Sequence, residues 1–286
     1  MARKLIKIFI LLLVIALIAM GLIYYALFIS INQIDIRYET LSSDKIPDAM
    51  NDVKIAYFTD LEYGNFVDEQ RLDMIIDKIN YAAADVIIFG GGLFDPGSQL
   101  EEEDIKTIQE KLESLDAPLG KFAVLGERDC VNETVREQVS TLLEDADFEI
   151  LDNRSLHIRN GSNSGIVLIG TQPLINGSPD IDAAVSNITN EEYNIMITHC
   201  PDLFTKDNIP FSSLSLGIAG HSHGSQINLP LFGSYNPTEG AKQYSLGKYQ
   251  VSTMELQVSN GVGTTGVNAR LFSPAEIVVY RLRHTE

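Results

Sequence analysis

Two histidines one residue apart are the side chains in this sequence whose type and spacing most suggest chemistry. His221 and His223 lie within 220–226, directly after the apolar run 214–219. Side chains at i and i+2 leave an extended strand on the same face, and on a turn between glycines both can point into one cleft. Neutral imidazole is a common ligand of transition metals. Alone the pair is a weak metal signal, because histidines on a polar loop can equally face solvent or backbone.

Acidic residues and one further histidine follow four other apolar runs. They are Asp60 and Glu62 after 53–59, Asp95 after 86–89, Glu127 and Asp129 after 122–125, and His199 after 194–198. Sites in parallel sheets form at the carboxyl ends of strands. A single carboxylate there is usually solvated or caps a helix. Five successive loops of ligand type are what a shared metal ion would explain.

The elements that must position these residues alternate between strands and helices. Helical spacing of apolar residues predicts helices over 67–83, 101–115 and 133–144, between strands over 53–59, 86–89 and 122–125. This order predicts a mostly parallel sheet with helical crossovers. Beyond Phe148 short strands dominate, over 148–151, 156–159, 166–170, 194–198, 214–219, 251–258 and 277–282, with a short helical turn within 180–187. We therefore expect one α/β domain built from two packed sheets.

The N-terminal segment of the chain is predicted to be a membrane anchor. Residues 8–31 carry no charge and would form about 36 Å of helix, enough to cross a bilayer. Arg3, Lys4 and Lys7 precede this run, so 1–7 is predicted to be a cytoplasmic tail. Residues 32–51 are then a stalk or first edge strand, and 52–286 an extracytoplasmic domain. A cleaved signal peptide is the rival reading, but the run is long for one and no small-x-small site follows closely.

Charge and cysteine content limit the partners. The formal net charge is −18, which opposes binding to nucleic acid and docking onto anionic lipid. Cys130 and Cys200 make no disulfide framework. They are buried thiols, or a disulfide if their strand ends are neighbours. We expect a monomer.

With these loops in place, the chain resembles the calcineurin-like metallophosphoesterases, most closely the bacterial branch with one N-terminal membrane helix. That family runs D-x-H, G-D-x-x-D, G-N-H-D, a lone His and G-H-x-H. The matching positions here are Asp60, Asp95, Gly126, Asp129, His199, Gly220, His221 and His223. The resemblance covers about 52–283. It implies a four-layer α/β/β/α sandwich with a two-metal centre at the strand ends.

Four positions depart from the family pattern. Glu62 stands for a His, Gly92 for the Asp that bridges both metals, Glu127 for an Asn and Arg128 for a His. Carried over position by position, the resemblance implies two ligand sets, a first of Asp60, Glu62 and His223 and a second of Glu127, His199 and His221. It implies supporting contacts from Asp95 and Asp129.

The absence of an acidic side chain at position 92 affects the number of metal ions that can bind. Two divalent ions about 4 Å apart repel by roughly 17 kcal/mol at an effective dielectric of about 20, and bridging anions offset that repulsion. Gly92 supplies no such anion, so nothing is expected to bridge the two ligand sets. Two histidines and a carboxylate suit zinc, and two carboxylates with one histidine suit manganese or ferrous iron. We therefore expect one such divalent ion rather than two.

Arg128 replaces a histidine that contacts the phosphate in the family. A guanidinium matches phosphate oxygens well but does not release its proton near neutral pH. Phosphate binding is thus compatible with Arg128, and general acid catalysis is not. The alternative is an ion pair with Glu127 or Asp129 that fills the cleft.

The sequence therefore predicts a membrane-anchored, metal-dependent phosphoester hydrolase with an altered site. The alternative is an inactive pseudo-phosphoesterase that acts as a binding or scaffold module. A third, weaker hypothesis is a one-metal protein of different chemistry. A small phosphoester or a lipid headgroup is the expected substrate class, from the position of the cleft near the membrane.

Overall fold

The N-terminal segment is one long apolar helix. The computed structural model describes residues 2–230, 233–234 and 237–286; Met1 of the predicted tail and 231–232 and 235–236 of the predicted domain lie outside the described residues. Helix α1 spans Ala2–Tyr24 and continues through a π turn over Tyr25–Ile29 and a 3-10 turn over Ser30–Asn32. The span Ala2–Asn32 has 31 residues, and its length and composition are those of a membrane-crossing helix.

The first sheet contains six strands, in the order β1-β14-β2-β3-β4-β5. Their bounds are Ile34–Ser43 for β1, Lys54–Phe58 for β2, Val86–Phe89 for β3, Lys121–Ala123 for β4, Phe148–Ile150 for β5 and Ala275–His284 for β14. Strands β2 to β5 are parallel to one another, while β14 is antiparallel to β2 and parallel to β1. Residues 32–51, predicted as a stalk or a first strand, thus contribute the edge strand β1.

Three helices cross over between the parallel strands. They are α2 over Glu69–Ala82, α3 over Glu102–Glu113 and α4 over Glu133–Asp145. Asp68 accepts a hydrogen bond from the Arg71 backbone N–H at 2.9 Å, and Asn132 caps α4 in the same way through Val135. Side-chain caps of this kind supply acceptors to the unpaired first turn of a helix. They also fix where the loops that follow β2 and β4 end.

The second sheet has the order β12-β13-β9-β8-β7-β6. Its strands are β6 over Arg154–Arg159, β7 over Gly165–Gly170, β8 over Tyr193–Ile197, β9 over Leu216–Ala219, β12 over Gly247–Val251 and β13 over Met254–Val258. A separate small hairpin pairs β10 (Asn228–Leu229) with β11 (Gly233–Ser234). The prediction of one strand over 251–258 is wrong. Ser252 has φ +54° and begins a two-residue turn between β12 and β13.

The two sheets stack in a four-layer α/β/β/α arrangement, which confirms the predicted fold class. On β2, Ile55 and Tyr57 pack between the sheets, whereas Ala56 and Phe58 pack under the three crossover helices. This division follows from the two-residue period of a strand. The outer layer on the second sheet is thin: it consists of α5 (Ile181–Ala184) and 3-10 turns over Pro201–Thr205 and Phe211–Ser213.

Candidate metal centre

Three buried side chains meet where β4, β8 and β9 end. Glu127 Oε2 lies 2.9 Å from His199 Nε2 and 3.1 Å from His221 Nδ1. All three residues are buried, and one potential ligand atom from each falls within 4.8 Å of the other two. The structure thus brings together the second predicted ligand set, and we name Glu127, His199 and His221 the imidazole triad.

The other ring nitrogen of each histidine is already committed to a backbone carbonyl. His199 Nδ1 donates to Gly90 O at 2.6 Å, and His221 Nε2 donates to Glu239 O at 2.5 Å. With neutral rings, the nitrogens that face Glu127 are acceptors, and Glu127 Oε2 then has no hydrogen-bond donor within the described ranges. Three acceptors this close need a proton or a metal cation between them. Imidazoles oriented by carbonyl acceptors and facing a carboxylate are the donor set of a transition-metal site.

Protons compete with a cation for this position. Burial lowers the pKa of His199, but the Glu127 carboxylate outweighs burial and raises this pKa to about 10. Burial likewise lowers the pKa of His221, and hydrogen bonds with Cys200 and Glu127 raise it to about 11. Burial raises the pKa of Glu127, but the two imidazoles hold it well below its usual range. Metal binding must therefore release protons, and metal affinity is expected to rise with pH.

The first predicted ligand set forms a second cluster, which we name the carboxylate triad: Asp60, Glu62 and His223. His223 Nε2 lies 3.6 Å from Glu62 Oε1 and 3.7 Å from Asp60 Oδ1. Asp60 Oδ1 also lies 3.7 Å from His199 Nε2 of the imidazole triad. Asp60 is thus the residue of the first set that approaches the second, while the two triads remain separate groups of potential ligands.

Four of the six candidate ligands have left-handed backbone. The φ angles are +57° at Asp60, +52° at Glu62, +68° at His221 and +50° at His223. Such conformations cost roughly 1–3 kcal/mol each in non-glycine residues and cluster at functional sites, where the surrounding fold imposes them. Here each occurs in a loop at a strand end, and the side chain points into the shared cleft.

The departures at positions 62 and 92 are sterically coupled. Gly92 has φ +78°, and a Cβ added there would lie 3.1 Å from Asp60 Cα and 3.2 Å from Glu62 Oε1. The Glu62 carboxylate therefore borders the space that a side chain at position 92 would enter. A negative charge remains close to the position of the lost bridging ligand, although it comes from another loop.

Asp129 holds the loops after β3 and β4 together. Its carboxylate accepts hydrogen bonds from the backbone N–H groups of Gly92 at 2.8 Å, Leu93 at 2.9 Å and Gly126 at 2.7 Å. Close approach of these loops also requires glycine, because a Cβ at Gly126 would lie 2.7 Å from Gly92 N. Asp129 thus fixes the backbone around the site without facing the cleft.

Arg128 connects the two triads. Its Nη1 donates to Glu62 Oε2 at 2.5 Å and to Thr265 Oγ1 at 3.1 Å, and its Nε lies 3.3 Å from Glu127 Oε1. The predicted ion pair with Glu127 is present, and the second partner is Glu62 rather than Asp129, whose carboxylate is occupied by backbone N–H groups. Asp95 reaches this network through Thr265, which donates to Asp95 Oδ1 at 3.1 Å.

Thr265 and Arg270 contact the site residues, and the sequence did not indicate these contacts. Arg270 is fully buried and donates to the backbone carbonyls of His223, Asn260, Gly261, Gly263 and Ser273. Burial lowers the pKa of Arg270 to about 9. Arg270 lies within the region that resembles the metallophosphoesterases, but this position did not indicate that it anchors the loop beside His223.

Both cysteines are buried free thiols in the described part of the chain. Burial raises the pKa of Cys130 to about 12, so it is an unreactive thiol at neutral pH. The alternative of a Cys130–Cys200 disulfide is therefore wrong for this structure.

No protein-family model matches the chain. An uncharacterized metallophosphoesterase of Bacillus subtilis, YkuE, is 27% identical over 262 residues, which cover 91% of this chain and 90% of that protein. A Bos taurus transmembrane protein with metallophosphoesterase domain is 25% identical over 248 residues, 82% of this chain and 53% of that protein. The resemblance to the metallophosphoesterases is confirmed. Among solved structures, a dimetal phosphatase from Danio rerio matches with a TM-score of 0.45 and 11% identity over 74% of this chain and 88% of that one.

In this chain, the positions that match the metallophosphoesterase pattern and the positions that depart from it lie in one cleft. Glu62, Gly92, Glu127 and Arg128 all lie against the loops that carry the candidate ligands. The relatives include one named as a transmembrane protein, in keeping with the single apolar helix α1 in the described ranges of this chain.

Proposed function

We propose that this chain is a membrane-anchored, metal-dependent phosphoester hydrolase that binds one divalent ion at the imidazole triad. The observation that carries the proposal is the position of Glu127 Oε2, 2.9 Å and 3.1 Å from two histidine nitrogens that would become metal ligands on releasing their protons. A buried acceptor cluster of this kind is stable only around a proton or a cation. Zinc, manganese and ferrous iron suit its donor set.

A divalent cation held by Glu127, His199 and His221 would polarise a phosphoryl oxygen and make water a better nucleophile near neutral pH. The chain's own residues position the reaction. Gly90 O and Glu239 O fix the two imidazoles, and Asp60 faces both triads. In the hydrolysis, the water oxygen bonds to phosphorus, the bond from phosphorus to the ester oxygen breaks, and the alcohol leaves with a proton.

Arg128 is proposed to contact the phosphate. Among the described residues, no acceptor meets its Nη2, while Nη1 is held by Glu62 and Thr265. A cavity of about 590 Å³ opens beside the guanidinium, and its wall includes Phe94, Val131 and Val135. Planar N–H donors next to a cavity of mixed lining, which also includes Asp95, Gln138 and Asn176, would bind a phosphate oxygen and leave room for the alcohol group.

The proposed location is the cell membrane, with a cytoplasmic N-terminus and the catalytic domain on the other side. The positions of Arg3, Lys4 and Lys7 support this orientation through the positive-inside rule.

The direct test is hydrolysis of bis(p-nitrophenyl) phosphate and p-nitrophenyl phosphate by the purified full chain in detergent micelles. We expect activity with zinc or manganese, its loss after chelation and its return when the metal is restored. Absence of hydrolysis with every divalent metal tried, from a folded chain that binds metal, would favour the inactive alternative.

That alternative, a binding or scaffold module, is favoured by one observation. The Arg128 guanidinium places a permanent positive charge between Glu62 and Glu127, one carboxylate of each triad. It thus partly neutralises the cleft without a second metal. The hydrolase is preferred because Arg128 contacts Glu127 Oε1 and leaves Oε2 facing only the two imidazoles of the triad.

Replacing Arg128 by glutamine is expected to raise the affinity of the carboxylate triad for a second divalent ion by at least about tenfold, since a cation in contact with Glu62 repels another. Isothermal titration with manganese measures this as a second binding event. Arg136→Gln is the matched control, because Arg136 is similarly exposed and pairs with Asp152 away from the triads. Unchanged stoichiometry and affinity in Arg128→Gln would show that the guanidinium does not limit metal binding.

A further inference from the structure

The apolar helix joins the domain at the edge of the sheet that carries the site. Strand β1 starts at Ile34, two residues after the helical segment ends, and it is parallel to β14, which is antiparallel to β2. The start of β1 therefore lies at the edge where β2, β3 and β4 end and where Asp60, Gly92 and Glu127 follow. The other end of β1, near Asp44, is about 33 Å away at the opposite edge.

The end of the helix contacts the loop that supports the site. The Arg270 backbone N–H donates to Ala26 O at 3.2 Å, and Ala26, Ser30 and Ile31 are buried against the domain. The same loop, residues 259–274, is held internally by the Arg270 guanidinium, which also donates to His223 O. A direct chain of contacts thus joins the membrane-helix end to a candidate metal ligand.

The surface around this junction differs in charge from the rest of the molecule. Segments 222–230 and 259–274 contain no acidic residue, in a chain that has 39 of them. Two apolar side chains on the loop are exposed, Val267 by 47% and Phe272 by 50%. An uncharged surface with exposed apolar side chains, continuous with a membrane helix, fits the interfacial layer of a bilayer.

A cavity extends from this surface to His223 of the carboxylate triad. Its volume is about 260 Å³, and its lining includes His223, Gln226, Thr265 and Val267. Gln226 Nε2 donates to Thr265 O at 3.0 Å and Gln226 Oε1 accepts from the Thr265 N–H at 2.6 Å, so the two walls are tied together. The cavity therefore lies between the exposed apolar loop and His223, at the edge of the proposed catalytic cleft.

We propose that the site-bearing edge of the domain rests on the bilayer through Val267 and Phe272, and that the substrate is the phosphoester of a membrane lipid headgroup. The identity of the substrate rests on the proposed hydrolase function, whereas the bilayer contact does not. Hydrolysis would add water across the bond between phosphorus and the headgroup or glycerol oxygen, and the released alcohol would take the proton.

The bilayer contact is testable because the chain has no tryptophan. Phe272→Trp in the full chain, reconstituted into phosphatidylcholine vesicles with brominated acyl chains, is expected to show blue-shifted emission and quenching by about half. Asp44→Trp, at the opposite edge, is the control and should stay unquenched. Val267→Trp is a second reporter should Phe272→Trp fold poorly. Equal quenching at Asp44 and Phe272, or none at either loop position, would overturn the bilayer contact.

The substrate is tested in unbrominated vesicles that contain phosphatidic acid and phosphatidylglycerol, beside bis(p-nitrophenyl) phosphate in solution. We expect Phe272→Asp to reduce hydrolysis of vesicle lipid by about tenfold and to leave hydrolysis of the soluble ester unchanged. Cleavage of the soluble ester without cleavage of any vesicle lipid would overturn the lipid inference alone. Failure on both kinds of ester would reject the hydrolase function and the lipid substrate with it, while the quenching result would still decide the bilayer contact.

Discussion

Replacing Glu127 by glutamine is expected to weaken metal binding at the imidazole triad by at least about 100-fold. Loss of an outer partner of a metal ligand already costs about 10- to 100-fold, and this substitution removes a ligand charge itself. The side chain keeps its size, so the effect comes from charge and not from a cavity. Competition titration with a chromophoric zinc chelator measures the affinity, and hydrolytic activity should fall in parallel.

Glu192→Gln is the matched control for this experiment. Glu192 also pairs with a histidine, His157 Nε2 at 2.6 Å, but this pair is half-buried and lies outside the site. It should leave metal affinity unchanged. An independent readout is the pKa of His199, which should fall from about 10 once the neighbouring carboxylate is gone. Equal metal affinity in the natural chain and in Glu127→Gln would exclude the imidazole triad as the metal site.

Asp129→Ala is expected to lower the free energy of unfolding by roughly 3–9 kcal/mol. It leaves three buried backbone N–H groups, those of Gly92, Leu93 and Gly126, without an acceptor, and each unsatisfied buried group costs about 1–3 kcal/mol. Domains of this kind are stable by only about 5–15 kcal/mol, so the loss is a large share. Urea unfolding of the full chain in detergent, followed by circular dichroism, measures it.

A second aspartate in the chain accepts the same number of backbone hydrogen bonds as Asp129 but lies near solvent. Asp202 also accepts three backbone N–H bonds, from Lys242, Gln243 and Tyr244, but it is only partly buried. Water can replace its oxygens, so Asp202→Ala should cost about 1 kcal/mol. Asp129→Asn keeps one carbonyl acceptor, so its loss of stability should lie between those of Asp129→Ala and Asp202→Ala. Similar losses for Asp129→Ala and Asp202→Ala would mean that burial of the N–H groups does not set the cost.

The order of strands and helices could be predicted from the spacing of apolar residues along the sequence. Val86–Phe89 is one uninterrupted apolar run and is a strand buried on both faces, as expected. The turn at Ser252 was missed because neither turn residue is Gly, Asn, Asp or Pro, and alternation continues on both sides of it.

Ligand types and their loops were predictable from the sequence, but their contacts were not. Motif spacing places Asp60 at a strand end and gives no sign that its carboxylate lies between the triads. The left-handed backbone at Asp60 and His221 has no sequence signature, because such strain is imposed by surrounding packing. Arg270 was missed for a similar reason: its acceptors are backbone carbonyls, which every residue has.

The central claim is that the imidazole triad holds one divalent metal ion, and elemental analysis of the natural full chain tests it most directly. After purification, loading with zinc, manganese or ferrous iron in turn, and exhaustive dialysis, we predict about one equivalent of a transition metal per chain. The equivalent should be lost in Glu127→Gln and retained in Glu192→Gln. A folded natural chain that retains none of these metals would contradict the claim.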